Sequence, residues 1–82
     1  MMNTQAVATY RAQLEGDPIA IEHVAGLLRR RGHRVVALSV ERSPDGDGLE
    51  MDLRVEPQGG HAERVCTELS KLPCVVSVTQ AR

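Results

Sequence analysis

The sequence predicts an α+β sandwich in which a four-stranded antiparallel sheet carries two helices on one face. Three observations lead there. The hydrophobic period switches between two and 3.6 in the order β-α-β-β-α-β, and clusters of turn residues fall between the switches. The chain, at 82 residues, has room for one small domain, residues 1–82, with about 63% of its surface buried on folding.

Tyr10, Ala12 and Leu14 alternate with Arg11 and Gln13, which reads as a half-buried strand over residues 4–14. Gly16 breaks it. Asp17 then stands at an N-cap position and Pro18 at the first helical position, where a missing N–H costs nothing. Ile21, Val24, Ala25 and Leu28 mark one face of the helix that follows. It ends in Arg29-Arg30-Arg31-Gly32, with cations over the negative end of the helix dipole and Gly just beyond it. Residues 35–40 return to period two, with Val36, Leu38 and Val40 on one face and Val35, Ala37 and Ser39 on the other. Ser43-Pro44-Asp45-Gly46-Asp47-Gly48 is a turn by composition. In the third strand Leu49, Met51, Leu53 and Val55 alternate with Glu50, Asp52, Arg54 and Glu56, so one of its faces looks at water. Pro57-Gln58-Gly59-Gly60 closes it. A second helix over residues 61–72 offers Ala62, Val65, Cys66, Leu69 and Leu72 to the core, Pro73 stops it, and residues 74–79 form a last strand. Two right-handed crossovers around a central hairpin make this a ferredoxin-like βαββαβ sandwich.

Composition excludes several functions. Tyr10 is the only aromatic, so the core is aliphatic and stacking platforms for nucleic-acid bases are ruled out. A formal net charge of −1 gives no long-range attraction to phosphate polymers or anionic lipid. No apolar run is long enough to span a bilayer, and residues 1–14 lack the pattern of a signal peptide. Cys66 and Cys74 are too few for a disulfide framework and read as small buried hydrophobes with free thiols, pointing to the cytoplasm.

Reactive constellations are missing from the pattern. His23, His33 and His61 have no Ser, Cys or Asp spaced for nucleophilic catalysis, and Glu50, Asp52 and Glu56 lie on the solvated face, away from apolar surroundings that would raise a carboxyl pKa. The first βα loop reads Glu15-Gly16-Asp17-Pro18, with no soft-metal ligand, and no cofactor or metal is expected. Arg29-Arg30-Arg31 with Arg34 is a basic cluster; a helix C-terminus explains it, and docking of an acidic patch on a protein partner is the alternative. What remains is a surface. The uncovered sheet face is expected to mix Val7, Thr9, Arg11 and Gln13 with Val35, Ala37, Ser39, Val75 and Ser77 and the charged row of the third strand. The second strand, with Val35, Ala37 and Ser39 outward, is a candidate pairing edge for a dimer or a larger assembly.

Asp17-Pro18-x-x-Ile21-Glu22-His23-Val24, Arg29-x-Arg31-Gly32, Leu38-Ser39-Val40, and Leu69-Ser70-Lys71-Leu72 followed by Val75, Val76 and Val78 resemble an ACT domain. Within that class the chain is most similar to the short, single-ACT small regulatory subunit of acetolactate synthase (acetohydroxyacid synthase), isozyme II type. The resemblance implies a non-catalytic subunit that forms a homodimer and docks on a large thiamine-diphosphate-dependent catalytic subunit of branched-chain amino acid biosynthesis. In valine-sensing members the effector is held at the ACT dimer interface by an Asn and a Gly-Ala in the first βα loop and an Asn-Ile opening the second strand. Those positions here read Gly16, Ile19-Ala20 and Arg34-Val35, around Asp17 and Pro18, so the amides that would fix an amino acid are replaced. The implied function is activation without valine control. A free-standing ACT sensor of an amino acid or small metabolite, with Arg34 clamping a carboxylate, is one alternative; a ferredoxin-like interaction module is the other.

Overall fold

Period-two patterning in four segments and helical patterning in two build the elements in the order expected. In the computed structural model, which describes residues 7–44, 46–56 and 62–81, they are β1 (Ala8–Leu14), α1 (Ile19–Arg30), β2 (Arg34–Arg42), β3 (Leu49–Glu56), α2 (Ala62–Ser70) and β4 (Val75–Ala81). The four strands form one antiparallel sheet in the order β2-β3-β1-β4, with β1 and β3 inside and β2 and β4 at the edges, which is the ferredoxin-like topology. Residues 4–6 of the expected first strand, Asp45, residues 57–60 and His61 lie outside the described residues.

The core forms where the inner strands face the helices. Tyr10, Ala12 and Leu14 of β1 stand opposite Leu53, Met51 and Leu49 of β3. Ala20, Val24, Leu27 and Leu28 of α1 and Val65 and Leu69 of α2 close over them. The expected α1 stripe is therefore rotated: Ala20 and Leu27 are buried, while Ile21 and Ala25 sit half-buried at its margin. In α2, Val65 and Leu69 are buried and Cys66 and Leu72 pack against the core from its edge; the helix ends at Ser70, whose hydroxyl donates back to the Cys66 and Thr67 carbonyls, short of Pro73.

Both ends of α1 are fixed as their residues dictate. The regular helix begins at Ile19, one residue later than expected, yet the Asp17 carboxylate accepts the Ile19 N–H at 3.0 Å and so caps the first turn. At the other end Gly32 has φ 82°, its N–H reaches the Arg29 carbonyl, and the His33 N–H reaches that of Leu28. This paired closure ends the helix in a left-handed residue, and Gly takes that conformation without Cβ strain.

The edge strands correct the expected faces. A bulge between Val35 and Ala37 leaves Val36 as the extra residue in β2, so Val35 stands opposite Val55 and packs on the core instead of the open face. A bulge against Gln13 and Leu14 leaves Val76 as the extra residue in β4, and Val75 is likewise buried opposite Leu14. Ala37, Ser39 and Ser77 do lie on the open face, opposite Arg54, Asp52 and Gln13.

Leu53 is fully buried in the core cluster. Leu53→Ala is expected to lower stability by about 2–5 kcal/mol, read as a drop in the urea midpoint without a change of slope. A loss below about 1 kcal/mol would mean that the helices do not seat on β3.

The buried Tyr10 sets an alkaline limit. Loss of hydration, then the neighbouring Cys66 and Glu63, pushes its phenol up to about 12 from the ordinary 10.0. Between these values the unfolded chain releases a proton that the folded chain keeps, so stability is complete below pH 10 and is lost as pH rises toward 12. Melting temperatures across pH 9–12 are expected to fall more steeply for the wild type than for Tyr10→Phe.

Candidate functional site

The open sheet face is polar and largely self-neutralised. Arg11 donates from Nε to Asp52 Oδ1 at 2.8 Å across the β1–β3 pair, and this hydrogen bond and charge raise the guanidinium pKa further. Gln13 donates to Glu50 at 3.1 Å, and Arg34 lies 3.9 Å from Glu56. Thr9, Ala37 and Ser39 are small enough to leave a dip of about 200 Å³ between Asp52 and Arg54. One pair opposes the pattern: Glu41 of β2 stands directly opposite Glu50.

A larger groove of about 580 Å³ runs along α1 beside the start of β2, lined by Glu22, Ala25, Gly26, Arg29, His33 and Val35. The helical residues fall at i, i+3, i+4 and i+7, one stripe that is exposed at Glu22 and Arg29 and half-buried at Ala25 and Gly26, whose small size makes the hollow. An anion and a cation, Glu22 and Arg29, stand at its ends, two turns or about 10 Å apart along the helix. His33 is buried, with its Nε2 placed 3.2 Å from Glu68 Oε1 of α2. Period-based reading missed this groove because it looks for the apolar face of a helix and counts Ala25 into it; the adjacent small pair Ala25-Gly26 was the available signal.

The sequence-derived site residues fall into two separate groups. Gly16, Asp17, Pro18 and Ile19 are exposed in the β1–α1 loop and first turn, while Ala20 is fully buried and serves packing. Gly16 has a structural reason: a Cβ there would collide with the main-chain carbonyl of Asp47, so this loop packs backbone-on-backbone against the β2–β3 turn. Arg34 and Val35 lie at the far end of α1, which is about 18 Å long for its 12 residues. A single copy does not bring these groups together. Ala37 and Ser39 lie on the open face of the edge strand β2, and Val35 lines the groove. Arg29, Arg30, Arg31 and Arg34 are all exposed at one end of the sheet.

Among the described residues no group of three or more His, Cys, Asp and Glu is placed to hold a metal ion. Cys66 and Cys74 are free, and burial pushes the Cys66 thiol pKa up, away from the reactive thiolate. No helix of the described residues is long and apolar enough to cross a membrane.

Replacing Glu41 by Lys converts its like-charge contact with Glu50 into an opposite-charge one. Glu41→Lys is expected to stabilise the fold by about 0.5 kcal/mol at low salt, with the gain shrinking in 1 M salt. Thermal unfolding at both ionic strengths checks this, and a destabilised variant would refute the cross-strand pairing.

Comparison with known proteins agrees with this architecture. No curated protein matches the chain by sequence. The acetolactate synthase small subunit of Thermotoga maritima superposes with a TM-score of 0.82 at 23% identity, over 92% of this chain and 47% of that one. This chain thus spans about half the length of that subunit. The ACT domain of a GTP pyrophosphokinase from Chlorobium tepidum follows, with a TM-score of 0.72 and 15% identity over 95% of this chain and 100% of that one. The C-terminal domain of the MgtC protein from Mycobacterium tuberculosis gives 0.65 and 17% over 98% and 92%. At these identities the likeness is one of fold. The sequence model of the ACT-domain family matches residues 16–78, from the first βα loop into β4. The chain belongs to the ACT-domain family, a family of regulatory domains.

Proposed function

We propose that this ACT domain is a non-catalytic, activating small subunit of acetolactate synthase in branched-chain amino acid biosynthesis, working as a homodimer on a large thiamine-diphosphate-dependent catalytic subunit. One observation carries the reading: the two groups of effector-position residues sit at opposite ends of α1, beside an apolar pairing edge. Strands β1 and β2 run parallel, because each is antiparallel to β3. The end of β2 therefore lies at the same end of the sheet as residues 16–20. If two copies pair antiparallel along β2, Arg34 and Val35 of one copy come beside residues 16–20 of the other. Such pairing also covers Val36 and Leu38, exposed at 45% and 38%, and aligns Ala37 and Ser39 on the open face. The superposition on the Thermotoga maritima small subunit supports this choice of relative.

Activation then needs no reactive group. A subunit that binds only the active conformation of its catalyst raises the population of that conformation by its differential affinity. At the effector positions Gly16 brings no side-chain amide, Ile19 is a branched aliphatic, and Arg34 is held toward Glu56, so valine has few directional partners. Cytoplasmic location follows from this reading.

The test mixes the protein with a candidate large subunit and measures acetolactate formation with and without valine. The expected outcome is a severalfold rise in rate that millimolar valine leaves unchanged. No activation would overturn the reading, and inhibition by valine would overturn its insensitivity.

The groove between Glu22 and Arg29 favours a second reading, a free-standing amino-acid sensor. A dose-dependent rise in melting temperature with a single amino acid, together with no activation of the large subunit, would select it.

A further inference from the structure

Two charged side chains of α1 are left without counter-charges by their own helix. Glu22 and Arg29 are exposed, and among the described residues neither side chain has a hydrogen-bonded or ion-paired partner. The positions three and four residues inward from each, where a helical partner would stand, are Ala25 and Gly26 for both. The two charges therefore face outward at the ends of the groove of about 580 Å³, which these small residues line together with His33 and Val35. Gly26 adds a second sign. A glycine inside a helix costs about 1 kcal/mol against alanine. Yet among the described residues outside the helix backbone, an added Cβ would meet only the flexible end of Arg30, at 3.2 Å. The packing of the chain itself does not demand glycine there, and so low a surface admits the backbone of another element.

We propose that the α1 groove is where a second copy of this chain docks, α1 against α1 in antiparallel order, held by two reciprocal Glu22–Arg29 pairs. In that order the stripe is complementary to itself. A two-fold axis passing between Ala25 and Gly26 sets Glu22 of each copy against Arg29 of the other, with Ala25 against Gly26 at the centre. Parallel helices would set Glu22 against Glu22 and Arg29 against Arg29, so charge selects the direction as well as the register. The helix dipoles agree. Glu22 lies in the first turn and Arg29 in the last, and antiparallel order brings each N-terminus beside the C-terminus of the other copy. Small residues at the crossing let the axes approach to the near end of the usual range of about 8–10 Å. One turn farther out the same axis carries Ile19, exposed at 49%, to Gly32 of the second copy, so an exposed apolar side chain gains cover. A partner of a single sign is repelled by one end of the groove, whereas a second copy offers both charges at the same spacing in reverse. This inference rests on the homodimer of the reading above and names the surface and the pairs that hold it. It needs neither strand pairing along β2 nor any particular catalytic subunit.

The experiment uses the full chain and three charge variants, with mass read by light scattering across a dilution series and folding checked by urea unfolding. Glu22→Arg makes both ends of the stripe positive, and Arg29→Glu makes both negative. Each is expected to self-associate at least tenfold more weakly than the wild type. An equimolar mixture of the two is expected to recover the dimer, since each copy then meets opposite charge at both ends. The double variant Glu22→Arg with Arg29→Glu is expected to recover it alone. Recovery needs folded protein, so loss of the fold cannot imitate this result. Salt at about 1 M is expected to narrow the differences. Single variants that associate like the wild type, or a mixture that stays monomeric, overturn the inference and leave the homodimer to another surface. A wild type that stays monomeric at high concentration overturns both the inference and the homodimer. A rise in melting temperature with one amino acid, lost in both single variants while every mass stays the same, would assign the groove to a small zwitterion and overturn the inference.

Discussion

Every feature of this domain depends on one constraint, that water is removed from only one face of the sheet. Strands lie about 4.8 Å apart and packed helices 8–10 Å apart, so two helices shield the inner strands fully and the outer strands only in part. The burial pattern follows that geometry. β1 buries Tyr10, Ala12 and Leu14 and β3 buries Met51, Leu53 and Val55, whereas β2 buries none fully and β4 buries only Val75. With a single aromatic in the chain, Tyr10 fills the middle of a core otherwise made of aliphatic and small residues. The interior is thereby committed to stability, and the open face and two edges are left for contact.

The two bulges show how the edges cope with partial cover. Each lies just after a helix has returned to the sheet, at Val36 and at Val76. An extra residue shifts the alternation by one, so Val35 and Val75 both turn inward while Leu38 and Val78 keep to the helix side farther along. The two βαβ halves therefore solve the same local problem in the same way. They differ in what they show the solvent: β2 displays apolar residues between charges, and β4 displays none of either sign.

This repeated device is also what separated the legible part of the fold from the rest. Element order, helix ends and the alternation of β3 could be read from residues because each has a local cause: the Asp17 carboxylate, the φ of Gly32, the strict period of Leu49, Met51, Leu53 and Val55. Val35 and Val75 were assigned to the open face because period two, counted from Val40 or Val78, places them there, and nothing in a run of valines announces an inserted residue. The rotation of the α1 stripe toward Ala20 and Leu27 has a related origin, since Ala is a weak hydrophobic signal and its burial is decided by the close approach of helix to sheet. At the candidate site the residues at the effector positions were identifiable one by one. So was their separation, because α1 runs from one group to the other; the groove beside α1 was not, because it needs β2 to return along the helix, a property of the assembled sheet.

Whether so small a surface suffices for activation can be judged from magnitudes. A tenfold shift between two conformations of a catalyst requires about 1.4 kcal/mol of differential binding. A net main-chain hydrogen bond contributes about 0.5–1.5 kcal/mol. Under the proposed small-subunit reading, a few such bonds made in only one conformation of the catalyst would meet that requirement. The rigidity of the core then matters directly. A loose sheet would follow the moving partner and bind both conformations alike, and equal affinity for both shifts nothing. The close backbone contact at Gly16 and the double closure at Gly32 hold the domain in one shape, the property that the proposed subunit would need in order to favour one conformation of its partner.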